Sequence, residues 1–265
     1  MPCAPRAQGA LRLVAKRRGA ETVIADLRQD GSLKALFPKV RGNALDAVFL
    51  NTAGGLTGGD RMAIDVAARQ NAHVIMSSQA AERAYRAQPD QVAHARVSLD
   101  VAAGGRIDWM PQETILFDHA ALHRRLEVDL AADATALLVE PVIFGRVAMG
   151  ETVQQLNFKD HWKIRRDGKL VFADAIRMVG NAQELLARRA IGSGAGAMAT
   201  ILLAGPSAAA CAAQIDLPDS SGFSLIADDV LLVRLLAKDG FDLRKQMIPV
   251  VEALATAPIP RVWRL

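Results

Sequence analysis

Met62-Ala63-Ile64-Asp65-Val66-Ala67-Ala68 is an alternating strand that reaches an Asp and steps off through Val-Ala-Ala, and the pattern recurs twice. Val97-Ser98-Leu99-Asp100-Val101-Ala102-Ala103 and Leu126-Glu127-Val128-Asp129-Leu130-Ala131-Ala132 repeat it, with Asp-to-Asp separations of 35 and 29 residues. Each copy is followed by a polar turn and a second apolar strand, at 72–76, 106–110 and 134–139. A strand–turn–strand unit returning at this period is the mark of stacked β layers, each burying a face on its neighbour. The shared Asp-[Val/Leu]-Ala-Ala step makes a chance likeness among three hairpins the poorer reading.

A polar segment follows the second strand of every unit, at 77–86, 111–118 and 140–151. Layers stacked in register would bring these segments out along one edge. The run Asn51-Thr52-Ala53-Gly54-Gly55-Leu56-Thr57-Gly58-Gly59-Asp60 precedes the first unit and would reach the same edge. Two Gly-Gly pairs so close together call for backbone where a side chain would clash or φ is positive. The run is not a phosphate cradle. A nucleotide loop ends in Gly-Lys-Ser/Thr and opens a helix, whereas this one ends in Gly59-Asp60 and opens a strand. No βαβ unit is present for a dinucleotide.

Elsewhere the pattern is also β. Strands are expected at 9–16, 21–28 and 46–51, and Leu156, Phe158, Trp162 and Ile164 alternate with polar residues, Asp160 intruding on the apolar row. Asp167-Gly168 turns the chain into a return strand at 169–178. The charge-free stretch 190–215 is broken by glycines, serines and Pro206, so it does not supply the roughly 20 apolar residues of a membrane span. It reads as a buried strand at 197–204 and a small-residue helix at 207–214. A buried strand follows at 230–236, then helical spacing at 239–255 that Pro249 would kink or break, and an extended tail from Pro258 to Trp263. The fold class is therefore mainly β, built of stacked sheets, with two or so α-helices near the C-terminus. Without a linker or a composition shift, residues 1–265 read as one domain.

Composition narrows the function classes. The chain has 265 residues, 51% hydrophobic and 23% charged, with a formal charge of +4. Its basic groups (Lys16-Arg17-Arg18, Arg124-Arg125, Arg165-Arg166, Arg188-Arg189) read as solvated strand or loop ends. Nucleic-acid binding would want a clustered stripe with interleaved aromatics. Cys3 and Cys211, two cysteines in all, exclude a disulfide framework and read as free thiols of a reducing compartment. The N-terminus lacks the apolar core of a signal peptide, so the expected location is cytoplasmic.

Among five histidines, His119 and His123 alone have metal-like spacing, and they read as surface residues. No serine sits in a nucleophile elbow. What remains is carboxylates beside glycines and strand ends: Asp60, Glu113, Asp118, Glu140 and Glu151. Carboxylates without Cys or paired His suit hard or borderline divalent cations held weakly. Each also reads as a turn residue that bonds backbone amides.

Four motifs in order, Asn51–Asp60, Ser78–Arg86, Trp109–Asp118 and Gly145–Glu151, with the closing Pro260-Arg261-Val262-Trp263, resemble the signature of the urease accessory protein D family, called H in some organisms. The resemblance implies a β-helix-like stack of strands and a protein that is not an enzyme. It implies binding to apo-urease together with the F-type accessory protein and the nickel-carrying G-type GTPase, which supplies the GTP hydrolysis. Transient Ni2+, with no tightly bound cofactor, would pass through a water-filled internal tunnel. Asp60, Glu113, Asp118, Glu140 and Glu151 would then act as weak Ni2+ transit ligands, strong enough to attract the ion and too weak to trap it. Asp60 is expected to face a passage shared with Glu113, Glu140 or Glu151. No nucleic-acid or membrane partner is expected. Two other readings stay open: a scaffold that reshapes urease without touching nickel, and a hydrolase or isomerase using Glu113 or Glu151 as acid/base.

Overall fold

A computed structural model describes residues 6–39, 42–146 and 149–264. Cys3, and Val147 and Ala148 of the fourth motif, lie outside the described residues. The strands run β1 (Gln8–Arg18), β2 (Glu21–Gly31), β3 (Leu33–Leu36), β4 (Leu45–Asn51), β5 (Arg61–Ala68), β6 (His73–Ser78), β7 (Glu82–Ala84), β8 (Ala93–Val101) and β9 (Arg106–Met110). Then come β10 (Thr114–Leu116), β11 (Ala121–Leu130), β12 (Thr135–Phe144), β13 (Leu156–Arg166) and β14 (Lys169–Gly180). The last third holds α1 (Ala182–Ala187), β15 (Ala197–Ala204), α2 (Ala208–Ala212), β16 (Gly222–Ala227), β17 (Val230–Ala237) and α3 (Gly240–Leu254).

The three sequence units are coils of a β-helix-like stack. Their first strands, β5, β8 and β11, are parallel neighbours in a seven-stranded sheet ordered β14-β13-β11-β8-β5-β1-β2. Their second strands, β6, β9 and β12, are parallel neighbours in the other sheet, whose main path runs β16-β17-β15-β12-β9-β6-β4-β3. The polar segments make a third, narrow side. Leu56 bridges Ala84, β7 pairs with β10, and β10 pairs with the last residues of β12. The glycine run therefore reaches the same side as the three post-strand segments.

Burial explains why the two kinds of strand read differently. The seven-stranded sheet has one face in the interior, so β5 and β11 alternate apolar and polar. The central strands of the second sheet, β12 and β15 among them, are covered on both faces. Leu138 and Ala136 face the interior between the sheets, while Leu137 and Val139 pack with α3 and Trp263 on the other side. That two-sided burial produces the largely apolar sequences of β12, β15 and β17, interrupted by Glu140, Thr200 and Arg234.

The structure departs from the sequence reading in several places. β12 continues past Val139 to Phe144, carrying Glu140 and Pro141 within it. On one side Pro141 sits in the gap after β12 leaves β9 and before it joins β10, where no strand partner calls for its N–H. Pro249 lies inside α3, which runs unbroken from Gly240 to Leu254. The tail forms a 3-10 turn at Arg261–Arg264. β3, β7, β10, β16 and α1 are too short or too exposed to carry a period. Nor are the basic groups all solvated. Arg166 donates from Nη1 to the carbonyls of Ala131, Ala132 and Ala134 and closes the turn after β11. Arg124 is inside the stack. Among the described residues no helix is long and apolar enough to cross a membrane.

Because Leu138 is fully buried between the sheets, Leu138→Ala should lower the unfolding free energy by about 2–5 kcal/mol, read from denaturant titration of circular dichroism.

Candidate functional site

Inward positions of neighbouring coils are filled by apolar side chains except at one level. On β11 the inward row reads Leu122, Arg124, Leu126, Val128; on β13 it reads Phe158, Asp160, Trp162, Ile164. Arg124 and Asp160 are direct partners across the two parallel strands. On β12 the inward row Ala136, Leu138 continues to Glu140. Period two thus delivers three ionisable side chains to one level of an apolar interior.

Arg124 holds them together. Its Nη1 donates to Glu140 Oε2 at 2.6 Å and to Thr114 Oγ1 at 3.0 Å, and its Nη2 donates to Asp160. The guanidinium carbon lies 5.3 Å from the centre of the Phe158 ring. Trp109 Nε1 donates to the second Glu140 oxygen at 2.8 Å, and the Trp109 ring stacks on Phe49 with centroids 5.2 Å apart. Two carboxylates share one guanidinium, so the cluster has one more acid than base. Burial pushes the Glu140 carboxyl above its ordinary value; Arg124 opposes this and the neighbouring Asp160 adds to it.

A cavity of about 250 Å3 runs from the glycine run to this cluster. Asn51, Gly54, Gly55, Glu82, Trp109, Thr114, Arg124 and Glu140 line it, and Leu33, Met62, Ile64 and Leu122 supply apolar wall. Burial also raises the Glu82 carboxyl, against a hydrogen bond from Asn51 Nδ2 at 3.1 Å and with help from the charge of Asp60. The cavity therefore carries two carboxylates, Glu82 and Glu140, that resist ionising alone. Gly55 needs its residue type here: φ is +144°, and a Cβ would meet the Tyr85 ring at 2.4 Å.

The other carboxylates do not share this passage. Asp60 faces protein and not solvent, yet both its oxygens accept backbone amides, from Ala7 and Thr57 at 2.8 Å each. It clamps the glycine run to the start of β1. Asp118 accepts the amides of Gln154 at 2.8 Å and Gln155 at 2.9 Å; these bonds and His119 outweigh burial and hold its carboxyl low. Glu151 takes Arg146 Nε at 2.9 Å and the Asp118 amide at 3.3 Å. Burial pushes Glu151 up, and the Arg146 bond and the two amides outweigh it, so it too is held low. Glu113 is half-buried beside Arg244, 3.7 Å away. The structure thus brings Asp118 and Glu151 together, places Glu140 in the cavity and leaves Asp60 and Glu113 apart. His119 and His123 are not a pair: the first sits in a turn with φ +63° and the second on the outer face of β11. Among the described residues no three His, Cys, Asp or Glu side chains converge to hold a metal ion.

Sequence reading did not single out Glu82, Arg124 or Asp160 as site residues. Asp160 had a signal, since it interrupted an apolar row. Arg124 had one too: it stands on the Leu122–Leu126 row by parity, although the adjacent Arg125 made the pair look solvated. Another buried acid lies elsewhere. Asp108 accepts His73 Nε2 at 2.8 Å and Arg106 Nε at 2.7 Å. Beside it, burial pushes Asp46 up to about 6, against the pull of His73.

The family model described as "UreD urease accessory protein" matches residues 7–264. The chain is 46% identical to the urease accessory protein UreD of Ruegeria sp. (strain TM1040), over 98% of this chain and 91% of that protein. It is 45% identical to the protein of the same name from Rhizobium leguminosarum bv. viciae and to that from Roseobacter denitrificans, each over 98% of this chain and 96% of the relative.

Arg124→Ala should cost about 3–5 kcal/mol, because it leaves two buried carboxylates without their cation, whereas Glu140→Gln keeps an acceptor for Trp109 and should cost less; thermal unfolding of both variants checks this order. Asp46, raised in the folded state, adds stability below its ordinary range and loses it as pH rises through about 6. Asp46→Asn should therefore raise the melting midpoint at pH 8 relative to the parent chain, with the gain shrinking toward pH 5.

Proposed function

The chain belongs to the UreD family of urease accessory proteins, and from that premise we propose that it helps deliver Ni2+ to apo-urease through the cavity bounded by Glu82 and Glu140. Its place in urease maturation is that of an accessory protein and not of an enzyme. In this reading it acts in the cytoplasm, bound to apo-urease, to the F-type accessory protein and to the G-type GTPase that carries the nickel.

The observation that carries the proposal is a cavity in an apolar interior lined by two carboxyls, Glu82 and Glu140, that burial pushes above their ordinary value. A buried acid of that kind is satisfied by a proton or by a passing cation. Oxygen donors suit Ni2+ less tightly than Cys or His ligands. Arg124, already bonded to Glu140, competes with any ion that arrives. Both effects keep residence short, which a conduit needs and a store does not. Of the five carboxylates named from sequence, Glu140 is the one that would touch the ion inside. Asp60 holds the loop that lines part of the cavity. Glu113, Asp118 and Glu151 would meet nickel only at the surface of the third side.

Co-expression of urease with its accessory proteins tests this. Glu140→Gln, and to a lesser degree Glu82→Gln, should cut the nickel content and activity of urease roughly tenfold while the accessory complex still assembles. Protons compete with the metal at a carboxyl whose pKa is raised, so transfer should weaken as pH falls, from a higher pH than for an ordinary Glu. In Glu140→Gln that part of the pH dependence should vanish. Normal urease activation by both variants in an intact complex would overturn nickel passage and leave a scaffold that never contacts the ion.

A further inference from the structure

The outer face of the seven-stranded sheet is uneven in charge. Near the N-terminal ends of the parallel strands, register sets Arg61 opposite His94, His94 opposite His123, and His123 opposite Lys159. One row along, Arg96 faces Arg125 and Arg125 faces His161. The next two rows mix the signs: Asp65 and Glu127 stand in one with Arg12 and Lys163, and Asp100 and Asp129 in the other with Arg165. The cationic rows border an open groove of about 770 Å3. Strands about 4.8 Å apart hold these groups at a spacing where their repulsion is appreciable. Arg96 is paired with Asp65 at 2.8 Å. Among the described residues no carboxylate lies within salt-bridge distance of Arg61, Arg125 or Lys159, and Asp30 of β2 is the one acid that borders the groove. Nothing in the fold of the stack requires this. Outward positions of a strand accept either sign, and the mixed rows show it.

We propose that this cationic groove is a docking site for an acidic segment of a partner protein. The surface lies on the opposite side of the sheet from the nickel cavity and does not depend on how nickel moves. Charge complementarity carries the choice of occupant. A metal ion is the poorer match. The His94 and His123 rings meet edge to face at 5.5 Å, close enough to resemble a two-histidine site, but Arg61, Arg125 and Lys159 surround them with positive charge. A nucleic acid is also poorer. No Phe, Tyr or Trp lines the groove to stack a base.

The histidines make the docking sensitive to pH. Burial holds the His123 ring below its ordinary value, with Lys159, His94 and His161 adding to the effect and the Asn157 bond opposing it. An incoming carboxylate reverses that balance and favours the protonated ring, so docking draws in a proton and strengthens as pH falls. The groups that face His123 are Arg61 from β5, His94 and Arg96 from β8, Arg125 on its own strand, and Lys159 and His161 from β13.

The test uses the full chain and a labelled peptide of about twelve residues alternating Glu and Ser, read by fluorescence anisotropy. The double variant Arg96→Glu/Arg125→Glu should weaken binding about tenfold or more. Arg17→Glu/Arg18→Glu, an equal change of charge on the exposed β1–β2 turn, should leave it within about twofold. Affinity should rise several-fold between pH 8 and pH 6, and His94→Ala/His123→Ala should remove that rise while keeping the binding at pH 8. Circular dichroism and melting temperature confirm that each variant is folded. Equal weakening by both charge reversals would mean that only net charge matters and would overturn the site. Tighter binding of a single-stranded oligonucleotide of matched charge would overturn the protein occupant. Glu140→Gln should bind the peptide normally, so failure here and failure of nickel passage are told apart.

Discussion

Register between successive coils is the constraint on which everything else in this protein depends. A parallel stack buries its apolar rows only if every coil presents the same parity to the interior, since a slip of one residue turns each side chain to the other face. The repeat tolerates a slip of two. Asp100 lies opposite Asp129, but Asp65 lies opposite Ser98, two residues short of Asp100, and Ile64 and Val66 still face inward. Coil length therefore varies between units without disturbing the core.

The same parity decides which charges are buried. Arg124 and Arg125 are adjacent in sequence, yet one is bonded to Glu140 and Asp160 in the interior and the other lies on the open outer face. A buried ion cluster is weak evidence for stability, because desolvation consumes most of what pairing returns. A cluster with one acid in excess is poorer still.

The inner and outer faces of one sheet thus present opposite chemistry to opposite neighbours. Inside, Arg124 holds Glu140 and Asp160; outside, among the described residues, Arg61, Arg125 and Lys159 have no carboxylate within salt-bridge distance. Between them lie single strands whose alternate residues serve both. A change at Arg124 or Arg125 falls on one face or the other and cannot be read from its charge alone.

The recurrence of Asp-[Val/Leu]-Ala-Ala, the alternation in β5 and β11 and the largely apolar runs of β15 and β17 were legible in the chain, because each follows from chemistry within a few residues. They determined a mainly β stack of coils with helices toward the C-terminus, and four motifs carried the resemblance to the accessory family. Tertiary structure alone decided which ionisable groups meet. Glu140 lies 16 residues from Arg124 and Asp160 lies 36 away, separations that no local pattern encodes. The five carboxylates beside glycines and strand ends looked alike in sequence. The fold gave Asp60 to backbone amides, Asp118 and Glu151 to a surface turn, Glu113 to Arg244 and Glu140 to the cavity. The reason is physical: type and parity are properties of a strand, whereas the partner of a side chain is a property of the coil stacked beside it.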